Sequence, residues 1–245
     1  GQPGAYGTAG SEYFRIPSLI TLNDGSLLAA ADARWNNMSD GGGLDTIVSK
    51  SPDSGRTWNY TFANYFGDNG NTYNEESSAF IDSAMVQGQD GTIYLLVDVL
   101  PGGVANLNEC QEGTGYVNIN GVQRLALSSD GENYDYYIGD FIDGYARIYR
   151  ISDNGDTGYA VNERYYLYST ANGEYTVLND NIFFAGALYR VFPTSYLWLV
   201  TSQDGMNWGN PVILNDQVKN GNEPFYGTGP GRGLVTSSAR IIFPC

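Results

Sequence analysis

Short apolar runs, each closed by a turn, recur along this 245-residue chain. Residues 16–22 end at Asn23-Asp24-Gly25, and residues 26–34 end at an Asn- and Gly-rich loop over 36–43. Runs at 45–51, 80–87 and 92–100 follow; the second of these closes at Gly88-Gln89-Asp90-Gly91 and the third at Pro101-Gly102-Gly103. A further run covers 195–200. Runs of this length bounded by turn residues predict strands, and pairs joined by Asp-Gly turns predict antiparallel hairpins. No stretch sustains the helical period. No apolar run approaches the roughly 18 residues that a membrane-spanning helix needs. The rhythm lapses over about 104–190, where Tyr and Asp crowd together at Tyr134, Tyr136, Tyr137, Tyr145, Tyr149, Tyr159, Tyr165, Tyr166 and Tyr168.

A motif narrows the fold. Ser51-Pro52-Asp53-Ser54-Gly55-Arg56-Thr57-Trp58 matches an Asp box, Ser-x-Asp-x-Gly-x-Thr-Trp, at every defined position. In that hairpin turn the Asp bonds backbone N–H groups and the Trp packs between blade strands. Thr201 to Trp208 aligns as a degenerate second copy, with Gly205 and Trp208 in place and Gln203 standing for the Asp. Ser128-Ser129-Asp130-Gly131-Glu132-Asn133-Tyr134 is a weaker echo. A turn repeated once per blade predicts an all-β propeller. The expected division is propeller over 1–103, an inserted small β domain over 104–190, and propeller again over 191–245.

Composition removes several functions. The net charge of −15 argues against nucleic acid, which wants a basic surface. It also repels an anionic sugar at long range, although salt screens that beyond roughly 10 Å. Histidine is absent, which excludes His-based metal sites and Ser-His or Cys-His catalysis. Cys110 and Cys245 form no motif. The start at Gly1-Gln2-Pro3 reads as that of a mature or trimmed product, and the composition favours a secreted or cell-surface protein.

Five segments in order carry a resemblance: Tyr13-Phe14-Arg15-Ile16-Pro17-Ser18-Leu19, Ala31-Asp32-Ala33-Arg34, Ser39-Asp40, Ser78-Ala79-Phe80-Ile81-Asp82, and Phe225-Tyr226-Gly227-Thr228-Gly229-Pro230-Gly231-Arg232-Gly233. With the Asp box they resemble the bacterial exo-sialidases of glycoside hydrolase family 33, in the subgroup whose six-bladed propeller carries an inserted β domain. The resemblance implies that Arg15 is the first of three arginines clamping the sialic acid carboxylate. It implies that Arg34 and Asp82 bind the sugar's 4-hydroxyl, that Ile81 walls the N-acetyl pocket, and that Asp40 is the general acid/base on a mobile loop. Sialylated glycans are the implied substrate, with no cofactor. A carboxylate on the anomeric carbon disfavours a carboxylate nucleophile, and the family uses a Tyr activated by a Glu. Asp40 must begin protonated, so an apolar or acidic setting is expected around it, with Trp35 and Met38 as candidates to desolvate it. The implied Glu, Tyr and two further arginines follow the Gly-Thr-Gly-Pro-Gly segment in the family and have no matching context here. About half of the ring is therefore expected in this chain. The missing C-terminal half is its expected partner, and the chain alone is expected to be inactive.

Plainer readings stand beside these. Arg15 also suits a structural ion pair, Asp40 a turn and Asp82 a satisfied buried carboxylate. Asp32 and Asp45 read as hydrogen bonders at strand ends. The loop over 68–76 is rich in oxygen ligands; a calcium site is weighed there against a solvated loop, and the spacing is not that of an EF-hand. The Tyr cluster either stacks sugars or fills a small core, core filling being the simpler. A non-catalytic Asp-box propeller that binds glycans is the alternative to an enzyme, and a transferase of the sialidase family is a third reading.

Overall fold

The structure, a computed structural model, describes residues 11–35, 37–66 and 77–245. The candidate calcium loop over 68–76 lies outside the described residues. The first strands are β1 (Tyr13–Thr21), β2 (Leu27–Arg34), β3 (Leu44–Ser51), β4 (Asn59–Asn64), β5 (Ala79–Gln87) and β6 (Ile93–Leu100). Then come β7 (Tyr116–Ile119), β8 (Val122–Ser128), β9 (Tyr136–Ile142), β10 (Tyr145–Arg150), β11 (Asp156–Asn162), β12 (Tyr166–Ser169), β13 (Thr176–Asn181) and β14 (Arg190–Val191). The chain finishes with β15 (Tyr196–Ser202), β16 (Val212–Ile213), β17 (Gly231–Arg232), β18 (Leu234–Val235) and β19 (Ile241–Ile242).

Strands β1 to β4 form an antiparallel meander. A second meander runs β5-β6-β15-β16. The two touch through one parallel pairing, Leu44 with Ala79. These are two four-stranded blades of an all-β, propeller-type fold, and the sheets do not close into a ring. β17 pairs parallel with β5, and β18 and β19 form a separate antiparallel pair. Between β6 and β15 the chain leaves to build a separate sheet, ordered β13-β12-β11-β10-β9-β8-β14. Its hairpins turn at Asn120-Gly121 and Asp143-Gly144, where both residues have positive φ. That is the geometry of a type I′ turn, whose twist matches the flanking strands.

Both sheets share one core. Trp198 of β15 is 2% exposed and packs against Phe183, which follows the second sheet's last long strand, with ring centroids 5.4 Å apart. Phe66, Phe80 and Tyr165 complete this aromatic knot. The Trp198 indole N–H donates to Asn64 Oδ1 at 2.9 Å, so the ring's polar edge is satisfied inside the core. Among the described residues no helix is long and apolar enough to cross a membrane, and no acidic or Cys cluster is placed to hold a metal.

The Asp-box turn joins β3 to β4. Asp53 Oδ1 accepts from the N–H groups of Arg56 and Thr57, and its other oxygen accepts the Thr57 hydroxyl. Trp58 departs from expectation: it is 43% exposed, lies over Gly55 and donates to the Gly55 carbonyl. In the second copy Asp204, not Gln203, plays the Asp part. Its Oδ1 accepts from Met206 and Asn207 N–H, and Asn207 Nδ2 donates to its Oδ2. The turn is one residue shorter, Ser-x-Asp-Gly-x-Asn, which offsets the alignment. The echo at Ser128 repeats the same bonds through Asp130 and Asn133.

Candidate active site

Each blade's first strand breaks register at the same stage. On β1, Arg15 faces Asp32 of β2, and the pairing then slips before Ser18. Ile16 sits in the slip at φ 53°. A β-branched residue is strained there, since its Cβ crowds the backbone. On β5 the pairing slips between Ile81 and Ala84, with Asp82 at φ 60°. Such bulges bend a strand and re-aim the adjoining side chains. Here they adjoin Arg15 and Asp82.

The loop from β2 to β3 is tied down by Arg34. Its guanidinium is 1% exposed. Nη1 donates to the Met38 carbonyl at 2.8 Å, the Ser39 carbonyl at 2.6 Å and Asp40 Oδ1 at 2.7 Å. Nη2 donates to Asp32 Oδ2 at 2.8 Å. The other Asp32 oxygen accepts the Asp82 backbone N–H at 3.2 Å, so one carboxylate links the two blades. Above this buried pair lie two open groups. Arg15, 42% exposed, donates to the Met38 carbonyl at 3.0 Å and meets Asp40 Oδ1 at 3.5 Å. Asp40 is 48% exposed.

Burial sets the titration of the groups beneath. It pushes the Asp32 carboxyl up to about 7, despite the guanidinium beside it. Burial also raises Asp82, and the Asp40 charge adds to the effect. Asp98 of β6 pairs with Ile81, is 0% exposed, and is raised well above the usual carboxylate range by burial. Thr228 N–H donates to Asp98 Oδ1 at 2.9 Å, and the Thr228 hydroxyl donates to the Asp82 carbonyl. The segment through 225–233 is thus pinned beside Asp82. Gly227 permits this, since a Cβ there would overlap the Phe225 ring and the Asp98 carboxylate.

No model of a protein family matches the chain. The chain is 30% identical to Sialidase B of Streptococcus pneumoniae over 95% of its own length, and spans 38% of that relative. It is 29% identical to the Anhydrosialidase of Macrobdella decora over 96% of its length, spanning 36% of that protein. The solved intramolecular trans-sialidase from Ruminococcus gnavus superposes with a TM-score of 0.80 at 27% identity, over 94% of this chain and 54% of that one. The chain belongs to the sialidase family. It spans less than half the length of the two curated relatives.

Within this sialidase-family chain, the residues singled out from sequence separate into two groups. Arg15, Arg34 and Asp40 converge, and Asp82 neighbours them through Asp32. Arg34 is enclosed, and its bonds hold the Asp40 loop in place. Ile81 is 2% exposed and packs with Leu44, Ala79, Leu100 and Val104, so it presents no open wall. The setting found for Asp40 is cationic, in place of the apolar or acidic one expected. Trp35 is buried with its N–H on Asp45, Met38 is 59% exposed, and two guanidinium groups meet the carboxylate. Asp32 proves central, beyond the strand-end hydrogen bonder expected. Asp98 escapes the sequence reading, and Thr228, although inside the matched segment over 225–233, has no role assigned there. A lone carboxylate inside the apolar run Leu95-Leu96-Val97-Asp98-Val99-Leu100 was the available signal, because a buried charge needs a specific reason.

Proposed function

We propose that this chain supplies one side of a sialidase active site that releases terminal α-linked sialic acid from glycans with retention of configuration. The supporting observation is the meeting of Arg15 and Asp40, 25 residues apart in sequence, as the two open groups above a buried Arg34–Asp32 pair. Arg15 touches Asp40 only at 3.5 Å, which leaves guanidinium N–H groups for a sugar carboxylate. A planar fork suits that partner better than a point charge. Asp40 protonates the departing glycosidic oxygen, then takes a proton from the attacking water; engagement of Arg15 by the sugar carboxylate removes one of the two guanidinium groups that oppose its protonation. Arg34 holds the Asp40 loop. On this reading the nucleophile is a Tyr activated by a Glu, as the family resemblance implies. Sialylated glycans at cell surfaces fit a secreted or cell-surface protein.

A second reading concerns the product. One relative is named Anhydrosialidase, and two structural neighbours are described as intramolecular trans-sialidases. On that reading the sugar's own hydroxyl replaces water. The test is a fluorogenic sialoside assay on the complete domain, with NMR of the product. Asp40→Ala is expected to lower turnover by about 10²- to 10⁴-fold. Undiminished activity in that variant overturns the proposal. Free sialic acid as the product indicates hydrolysis, and an anhydro sugar indicates internal transfer.

A further inference from the structure

The second sheet carries a cavity remote in the chain from Arg15 and Asp40. One face of the sheet is committed to the core: Ala146 and Ile148 of β10 are both 0% exposed. The intervening residues of that strand, Tyr145, Arg147 and Tyr149, belong to the opposite face. With Tyr137 of β9, and Tyr175 just before β13, they line a cavity of about 560 Å³. That lies within the usual range for small-molecule sites.

Three features give this cavity a chemistry. The rings are ordered in pairs, Tyr145 with Tyr175 at 4.0 Å and 13°, and Tyr137 with Tyr149 at 5.6 Å and 27°. Tyrosines are not needed on this face to build the core, and a Tyr suits a surface that is apolar at one end and wet at the other. Gly139 keeps the cavity open, because a Cβ there would lie 2.8 Å from the Tyr149 ring. The cations are already neutralised. Arg124 pairs with Asp140 at 2.6 Å, and Arg147 pairs with Asp156 at 2.6 Å. Asp143 adds a further negative charge to the lining.

We infer that this cavity binds an uncharged pyranose unit of an oligosaccharide. A pyranose offers a C–H face to an aromatic ring and hydroxyls at its rim. Each hydroxyl both donates and accepts, and the Arg–Asp pairs present both kinds of partner. No free cation awaits an anion, and Asp143 disfavours one, so the site takes a neutral sugar and rejects a sialate. This inference stands on the cavity alone and is independent of the catalytic proposal.

The experiment is saturation-transfer NMR and calorimetry on the full chain with lactose, N-acetyllactosamine and chitobiose, and with free sialic acid as the anionic probe. At least one neutral disaccharide is expected to saturate with a Kd of about 1 mM or tighter. Tyr145→Ala is expected to weaken it by at least about tenfold. Gly139→Leu, which fills the cavity, is expected to act likewise, and circular dichroism checks that both variants fold. No saturation by any of the three up to roughly 10 mM overturns the inference. So does binding that survives both substitutions, or that is lost in Arg15→Ala instead. Preferential binding of sialic acid overturns the charge argument and with it the assignment.

Discussion

Two arginines nineteen positions apart show how burial divides one motif into two jobs. Arg34 and Asp32 form a pair in which each side chain is 1% exposed. Removing Asp32 leaves the buried Nη2 without its acceptor while Nη1 keeps Asp40 and two carbonyls, a loss of about 1–3 kcal/mol. Asp32→Ala is therefore expected to lower the urea unfolding free energy by that amount. Arg15→Ala removes a contact between two half-exposed groups, worth about 0–1 kcal/mol. It should leave the unfolding midpoint nearly unchanged while abolishing sialoside binding by the complete domain. Equal destabilisation by the two substitutions would show Arg15 to be structural. Sequence named both arginines, because each lies in a segment with a family match. It could not rank them, because exposure depends on which strands cover a residue. Arg34 ends a central strand between β1 and β3, while Arg15 sits on the terminal strand of the sheet.

At the scale of elements, the decisive piece is the β2–β3 loop that carries Asp40. Arg34 clamps it from below, and the backbone at Ala105 closes it from the side. A Cβ at Gly41 would overlap the Ala105 carbonyl, a backbone group that cannot rotate away. Gly41→Ala is expected to displace Asp40, and in the complete domain to lower kcat by about 10²-fold with little change in KM, since a misplacement of about 1 Å has that effect. An unchanged kcat would mean that the loop is free to adapt. The strands flanking this loop were legible: residues 26–34 and 45–51 were expected, and the strands are Leu27–Arg34 and Leu44–Ser51. Both alternate or run apolar between clear turn residues. Strands β9 to β13 were not delimited, for a physical reason. Their outer face carries Tyr145, Tyr149 and Tyr137 where a polar residue would have marked the period, so both faces read as apolar. The shortened turn at Ser202 escaped a fixed-length motif for a similar reason. Its hydrogen bonds are those of the Asp box, but its spacing is not.

For the whole molecule, two sets of carboxylates pull stability in opposite directions with pH. Asp53, Asp130 and Asp204 accept turn N–H groups and titrate below their ordinary value of about 4. Their contribution is present above that value and is lost as pH falls through their folded values. Asp32, Asp82 and Asp98 are raised by burial, Asp32 to about 7. A carboxyl that holds its proton more tightly when folded contributes fully below about 4, and that contribution is lost as pH rises to 7 and beyond. The net charge of −15 adds self-repulsion on the same alkaline side. Thermal and urea unfolding are therefore expected to show greatest stability near pH 5, with a steady fall toward pH 8. Asp98→Asn keeps an acceptor for the Thr228 N–H but cannot ionise. It should flatten the alkaline limb while leaving the acid limb in place. Stability that instead climbs from pH 5 to pH 8 would mean that these buried carboxylates are ionised throughout, and that at Asp32 the attraction of Arg34 outweighs the cost of burial.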